Sequence, residues 1–340
     1  MHLSEQKARA LATRAFVRLG VAETAAGEAA EILTLAEMMG IRTHGLSRVA
    51  VYAERISSGA IVPDAAILIS APALALRRVQ GNAGLGPAIA HRALYAAMEA
   101  ARTVGVGAAF VRGSSHLGAL APYLWIAADA GFACVMTTNT AAMIAPAGGR
   151  DAVVGNNPIG IGVPDPNGAH VILDMALSVA ARSRVRAAAE AGEAIPESWA
   201  TDAKGRATTD AKAAMQGLMQ AIGGDKGANL ALSLDLLAGG LSGAAMLSDI
   251  GAADTPGRRQ NLGQMILLID TGQLLSEDGL ADQMALARQS LAHCTPIDPA
   301  HPVRMPGDRA IRALRDAREH GLSLSESLID ELRALAKDAG

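Results

Sequence analysis

The sequence predicts an α/β fold in which a sheet-forming middle lies between helical chain ends. Apolar residues recur at helical spacing over residues 4–40 and again in ALRDAREHGLSLSESLIDELRALAK. From about residue 70 the texture changes to short apolar runs between glycines, alternating with helical stretches. At 340 residues the chain can hold two or three structural units, since one domain usually spans roughly 100 to 200 residues.

Ala8, Leu11, Ala12, Ala15 and Phe16, then Ala29, Ile32, Leu33 and Ala36, define a helical pair broken near Leu19-Gly20. THGLSRVAVYAERISSGAI reads as a turn at Gly45 and a helix with the stripe Val49, Tyr52, Ala53 and Ile56, which sets His44 and Arg48 on one side. VGAAFVR, ACVMTTN, PIGIGVP, HVILDMA and QMILLID read as strands, and GPAIAHRALYAAMEAARTVG as a helix. NLALSLDLLAGGLSGAA reads as a buried helix, and the Ala- and Gly-rich stretch 239–257 as a mobile crossover. After the loop HPVRMPGDR helical spacing returns, with Ser323 or Ser325 as the cap of the last helix. The two helical ends are expected to pack together.

Half the residues are hydrophobic but only 2% are aromatic, so the core has to be built from small and aliphatic side chains. A net charge of -3 and a pI near 6.2 supply no broad cationic field, which argues against a nucleic-acid partner. The uncharged run at residues 130–149 is interrupted by TTNT and ends in PAGG, so it does not read as a continuous apolar membrane span, and no export signal is visible. Cys134 and Cys294 form no C-x-x-C pair, so neither a disulfide framework nor a thiolate metal cage is expected. The expectation is a cytoplasmic protein with no metal and no membrane partner.

In RTHGLSRVAVY, Thr43, His44 and Arg48 place a hydroxyl, an imidazole and a guanidinium close together, with Tyr52 one helical turn later. A guanidinium holds a carboxylate by two parallel charge-assisted hydrogen bonds, and an imidazole can pass a proton to an adjacent carbonyl oxygen or imine nitrogen. The set suits a small carboxylate substrate; an exposed His and Arg at a helix start would look the same. RGSSHLGALAPY follows a strand, so Ser114, Ser115, His116 and Gly118 converge at a strand end, either as a tight turn or as a site where His116 is an acid, a base or a donor to a cofactor carboxamide.

TTNTAAMIAPAGG, GNNPIGIGVP and LDMALS are turn-forming, and their Asn139, Thr140, Asn156, Asn157 and Asp174 are also candidates for a nicotinamide or a ribose. GGDKGANL sets Lys226 between glycines, and RMPGDR sets Arg304 and Arg309 around Pro306-Gly307; both suit a pyrophosphate or 2'-phosphate, and both are ordinary loop chemistry. No G-x-G-x-x-G opens a strand and helix, and GNAGLGPA has the spacing G-x-x-G-x-G instead. H-E-x-x-H and G-x-S-x-G are missing too, which weakens hydrolase readings.

Taken in order, RTHGLSRVAVY, RGSSHLGALAPY, APAGGRDAVVGNNPIGIGVP, ILDMA, GGDKG and RMPGDR resemble the type-2 malate/L-lactate dehydrogenase family over nearly the whole chain. The resemblance implies a non-Rossmann nicotinamide-binding sheet domain, residues 71–299, and a helical substrate and dimerisation domain from residues 1–70 with 300–340. It also implies a homodimer whose subunits complete each other's sites. The implied reaction is hydride transfer between NADPH or NADH and a small 2-oxo or 2-hydroxy acid. Reduction of a cyclic imine, piperideine-2-carboxylate or pyrroline-2-carboxylate, is the alternative. By position, His44 resembles the proton donor, Thr43 its neighbouring hydroxyl, Arg48 the carboxylate ligand and Tyr52 a residue lining the same pocket. His116 matches a second active-site histidine that serves some members as acid or base, with Gly118 and Leu120 in the associated cofactor loop. Thr140, Asp174, Met175, Ala176, Lys226, Arg304, Met305, Pro306 and Gly307 match positions expected around the dinucleotide.

Three departures bear on specificity. Asp225 and Gln264 stand where the family often has histidine, and Ser183-Arg184 where Gly-Lys is common. An acid at Asp225 repels a 2'-phosphate whereas Arg182, Arg184 or Arg304 attracts one, which leaves both cofactors open with NADPH a little ahead. The expected scheme has Arg48 anchoring the carboxylate, His44 donating the proton and His116 positioning, while which histidine transfers the proton stays open. Rivals from other classes are a non-catalytic dinucleotide-binding sensor and a metal-assisted hydrolase using His44, His116 and Asp174.

Overall fold

In the computed structural model, which describes residues 2–252, 255 and 257–337, a short strand β1 (His2–Leu3) precedes the helical pair α1 (Glu5–Arg18) and α2 (Glu23–Met38). A 3-10 turn, Arg42–His44, leads into α3 (Arg48–Ser57). Then come β2 (Leu68–Ala73), β3 (Leu76–Gly84), α4 (Gly86–Val104), β4 (Val106–Ser114), α5 (Ala121–Asp129) and β5 (Phe132–Thr138). The next section holds β6 (Ala142–Ile144), β7 (Val154–Gly155), β8 (Ile159–Val163), β9 (Val171–Met175), α6 (Arg182–Ala191), α7 (Ala211–Ala214) and α8 (Asp225–Asp235). The chain returns through β10 (Leu262–Asp270) and α9 (Glu277–Ala292), and continues with α10 (Asp308–His320), β11 (Leu322–Ser323) and α11 (Glu326–Ala336).

Seven strands form one mixed sheet in the order β2-β3-β4-β10-β5-β8-β9. Among the described strands of this sheet, β3 and β4 pair in parallel across the crossover helix α4, and each remaining neighbour pair is antiparallel. The fold is therefore α/β as expected, but its sheet is mostly antiparallel. β10 slots between β4 and β5, with Met265 opposite both Phe110 and Thr137. Ile266 and Leu268 are fully buried there, as a strand covered on its faces requires.

The scarcity of aromatics is answered by close packing of small residues. Ala88, Ala90, Ala93, Ala97, Ala100 and Ala101 of α4 are all fully buried. The helix lies so near the sheet that a Cβ on Gly107 of β4 would run into the Ala97 carbonyl oxygen. One apolar cluster continues from α1 and α2 through α4 and α5 to β4, β5 and β10.

The two helical ends pack together as the spacing indicated. β1 pairs with β11, His2 opposite Ser323 and Leu3 opposite Leu322, while α11 lies on α1 and α10 on α2. Ser325 caps α11 by accepting from the Leu328 N–H at 3.2 Å.

One expectation needs correction. The stretch read as a buried helix is α8 followed by a π turn, Leu236–Gly240, and Leu230, Leu236, Leu237 and Leu241 face solvent. The core side of α8 is instead built from Gly227, Ala228, Ala231, Leu234 and Asp235. Leucines spread around a helix cannot all share one face, so an apolar run alone does not establish burial. In the stretch 239–257, the Ala245 N–H donates to the Asn261 carbonyl and the Ala245 carbonyl accepts from Asn139 Nδ2. Residues 253, 254 and 256 of that stretch lie outside the described residues. Among the described residues no helix is long and apolar enough to cross a membrane.

Candidate active site

The site begins at the end of α2. Glu37 lies four residues after Leu33, on the same buried face of the helix. Its Oε2 accepts from the Leu46 N–H at 3.0 Å, and Gly45 approaches it so closely that a Cβ there would overlap the carboxylate. Residues 42–47 are thereby folded against α2. Burial raises the Glu37 pKa above the usual carboxylate value, opposed by the Leu46 N–H and the Arg42 charge. In the turn so formed, Thr43 Oγ1 lies 3.0 Å from His44 Nδ1, and Arg48 Nε donates to the Thr43 carbonyl at 2.6 Å.

A second segment is brought against the first by the sheet. Beyond β4, Ser115 Oγ accepts from the Gly86 N–H at 2.8 Å and donates to the Gly84 carbonyl at 2.9 Å, which seats the segment on the start of α4. Gln260 Oε1 accepts from the His116 N–H at 3.2 Å, and Gln264 Nε2 donates to Ser114 Oγ at 2.8 Å. Held this way, the His116 ring faces that of His44 with centroids 5.5 Å apart. The Tyr52 hydroxyl lies 2.8 Å from His116 Nδ1, and the Gly118 N–H donates to the same nitrogen at 3.3 Å. Tyr52 itself is fully buried.

Both rings sit in a poorly solvated and cationic setting. Burial, and then the Arg48 charge, lowers His44 to about 4. Burial, and then the charges of His44, Arg48 and Arg55, lowers His116 to about 3. Both imidazoles are neutral at pH 7 in the unliganded protein.

The positions matched to a dinucleotide fall into separate groups. Asp174, at the end of the edge strand β9, accepts through Oδ2 from the Leu120 and Ala121 N–H groups, each at 2.9 Å. It thus caps α5, which has no side-chain cap from its own N-cap residue. Leu120 contributes its backbone to this contact while its side chain is buried. The 304–307 loop docks on the same strand through the Ile172 N–H to Pro306 carbonyl bond at 3.0 Å, and the Met305 N–H donates to Asp308 Oδ2. Residues 174–176 and 304–307 therefore gather at β9, with Arg304 exposed.

Lys226 is exposed in the first turn of α8, whose N-cap Gly224 supplies no side-chain acceptor. A 320 Å³ cleft sets Gly224 and Asp225 beside Gly148, Arg150 and Gln220. Uncapped first-turn N–H groups with Lys226 alongside fit the phosphates of a dinucleotide, with Asp225 opposing them. Thr140 Oγ1 donates to Asn156 Oδ1 at 2.9 Å. Asn139 and Asn157 are spent on structure, since their Nδ2 groups donate to the two oxygens of the fully buried Asp235 at 3.2 Å each. Two of the cations weighed for a 2'-phosphate already have protein partners: Arg182 donates to the Met215 carbonyl at 3.1 Å, and Arg184 lies over the Trp199 ring. Among the described residues no three His, Cys, Asp or Glu side chains group as a metal site.

Glu37 and Gln260 escaped the sequence reading. A carboxylate at the buried phase of an apolar helix was the available sign for Glu37, because such a group needs a built partner. Gln260 offers no local sign, as its partner comes from another part of the chain.

Comparisons with known proteins agree with this architecture. A match to the family described as malate/L-lactate dehydrogenase spans residues 3–333. The chain is 35% identical over 336 residues to a (2R)-3-sulfolactate dehydrogenase (NADP(+)) of Chromohalobacter salexigens, covering 98% of each chain. It is 32% identical over 345 residues to a Delta(1)-pyrroline-2-carboxylate reductase of Pseudomonas fluorescens, again covering 98% of each. The sulfolactate dehydrogenase structure from Methanocaldococcus jannaschii superposes with a TM-score of 0.89 at 26% identity, covering 98% of this chain and 96% of that one. An oxidoreductase built on a mixed, largely antiparallel sheet is the class so defined. The chain belongs to the malate/L-lactate dehydrogenase family.

Proposed function

We propose that this protein transfers hydride between a nicotinamide dinucleotide and a small 2-oxo or 2-hydroxy acid. The observation that carries the reading is the linked set Thr43, His44 and Arg48 facing His116. Arg48 uses Nε on the Thr43 carbonyl, which leaves its two terminal nitrogens for a substrate carboxylate. A carboxylate held there offsets the Arg48 charge that depresses His44, and so favours the imidazolium that donates its proton to the substrate oxygen. In the oxidation direction neutral His44 is the base. His116 positions the reacting groups as a hydrogen-bond partner.

When bound, the dinucleotide supplies or accepts the hydride at the carbon beside the carboxylate. Lys226, Arg304 and the first turn of α8 are assigned to its phosphates, with Met305, Pro306, Gly307, Met175 and Ala176 around it. Asp174 keeps Oδ1 for a ribose hydroxyl, and Gly118, Leu120 and Thr140 complete the set. NADPH is the first choice and NADH the second, because Arg304 is exposed whereas Arg182 and Arg184 have partners. We assign the dinucleotide to residues 71–299 and the substrate and dimer contacts to 1–70 with 300–340. A homodimer is supported by the solvent-facing leucines of α8 and its π turn. A cytoplasmic setting is supported by two free thiols.

A cyclic imine carrying a 2-carboxylate is the second reading. Arg48 and His44 would serve it equally, and the relative named Delta(1)-pyrroline-2-carboxylate reductase supports it. The test is NADPH and NADH oxidation by the purified protein with sulfopyruvate, oxaloacetate, pyruvate, pyrroline-2-carboxylate and piperideine-2-carboxylate. Turnover with an oxo acid supports the first reading, and turnover with the imines alone the second. Dinucleotide binding with no turnover on any of them would replace both with a sensor.

A further inference from the structure

We infer that the Tyr52 hydroxyl and the Gly118 N–H together fix the tautomer of His116, keeping the ring proton on Nε2 so that His116 acts as a neutral hydrogen-bond donor and His44 alone carries the transferred proton. The inference deepens the oxidoreductase reading and rests on it for its kinetic consequences. Two groups converge on His116 Nδ1: the Tyr52 hydroxyl at 2.8 Å and the Gly118 N–H at 3.3 Å. A hydroxyl can donate or accept, so the Tyr52 contact alone leaves the tautomer undecided. A backbone N–H can only donate. A proton on Nδ1 would confront it directly, so Nδ1 must be the acceptor of both, and the proton of the neutral ring resides on Nε2.

The surroundings oppose a doubly protonated ring for the same reason and for a second one. Imidazolium at His116 would place an N–H against the Gly118 N–H. It would also add a cation to a buried spot where Arg48 and Arg55 already supply positive charge. Tyr52 is 1% exposed, and with Nδ1 unprotonated its hydroxyl is the donor of the 2.8 Å contact. It follows Arg48 by one helical turn on α3, so a single helix presents both the carboxylate anchor and the group that orients the second histidine. Tyr52, read from the family resemblance as lining the substrate pocket, becomes a positioning residue that acts through His116. The ligand it prepares for is an oxygen acceptor, such as a carboxamide or carbonyl oxygen, that receives the Nε2–H.

The test combines spectroscopy with kinetics. In protein labelled with 15N-histidine, His116 should show an unprotonated Nδ1 and a protonated Nε2 near neutral pH, and Tyr52→Phe, which leaves Nδ1 with the longer 3.3 Å contact from the Gly118 N–H, should shift that ring towards a mixture of tautomers. The Phe ring fills the same space, and an unchanged Tm shows that the fold is kept. Tyr52→Phe should lower kcat by about tenfold, the order expected for one lost hydrogen bond, with little change in KM. In a His116→Gln background the same substitution should have no further effect, because the group it acts through is gone. A protonated Nδ1 in the parent protein, an unchanged tautomer in Tyr52→Phe, or an undiminished Tyr52 effect in the His116→Gln background would each overturn the inference. If the parent protein turns over no oxo acid or imine, the functional reading fails, while the 15N spectrum still decides the tautomer.

Discussion

His44 and His116 face each other with ring centroids 5.5 Å apart and planes tilted by 32°, and among the described residues neither ring pairs with a carboxylate. Without such a partner nothing offsets the burial that lowers both, so the free protein holds two neutral imidazoles. The sign of the pH dependence follows. Oxidation of a hydroxy acid needs neutral His44, which is present at any pH well above about 4. Reduction needs protonated His44, whose population in the free protein falls about tenfold per pH unit above that value. Initial rates across the neutral range should give a flat kcat/KM for oxidation and a falling kcat/KM for reduction. A reduction profile that stays flat to alkaline pH would mean that another group donates the proton.

Removing the two groups separately should split binding from chemistry. His44→Ala should lower kcat by roughly 10² to 10⁴-fold, the range of general acid catalysis, while leaving dinucleotide affinity near that of the parent. Arg48→Ala should chiefly raise KM for the acid, since it removes the paired hydrogen bonds to the carboxylate. Steady-state kinetics with a fluorescence titration of the dinucleotide separates the two. Parent-like kinetics in both variants would remove this pair from the mechanism.

The turn that carries His44 depends on Glu37. Glu37→Ala leaves the Leu46 N–H without its acceptor and should cost about 1–3 kcal/mol, whereas Glu37→Gln keeps an acceptor and should cost less. Gly45→Ala forces a methyl against that carboxylate and should also cost about 1–3 kcal/mol, with kcat falling as His44 moves. Urea unfolding and turnover measured on the same samples check this. Full stability and activity in Glu37→Ala would show that the turn is ordered by something else.

Asp174 gives one carboxylate oxygen to the start of α5, which allows its two possible roles to be separated. Asp174→Ala removes the cap and should lower stability by about 1 kcal/mol. Asp174→Asn retains an acceptor for the cap, so stability should hold while the dinucleotide Kd rises several-fold. Unchanged stability and unchanged Kd in the Asn variant would reduce Asp174 to a cap alone.

The sequence by itself determined whatever rests on neighbours a few residues apart. The helical pair at the amino end, the Ser325 cap and the strands of the middle are read from period and punctuation, because side chains at i, i+3 and i+4 share a face whatever the rest of the chain does. The Thr43, His44 and Arg48 set was legible for the same reason. Tertiary structure alone decided the rest. It inserted β10 between β4 and β5, turned the leucines of α8 to solvent, and drew the Asp174 carboxylate to the start of α5. It also brought His116 to His44 and set the Tyr52 hydroxyl and the Gly118 N–H on one ring nitrogen. The physical reason is that a tautomer, a desolvated pKa or a cap supplied by a distant strand depends on which atoms meet across the core. No local pattern encodes those meetings.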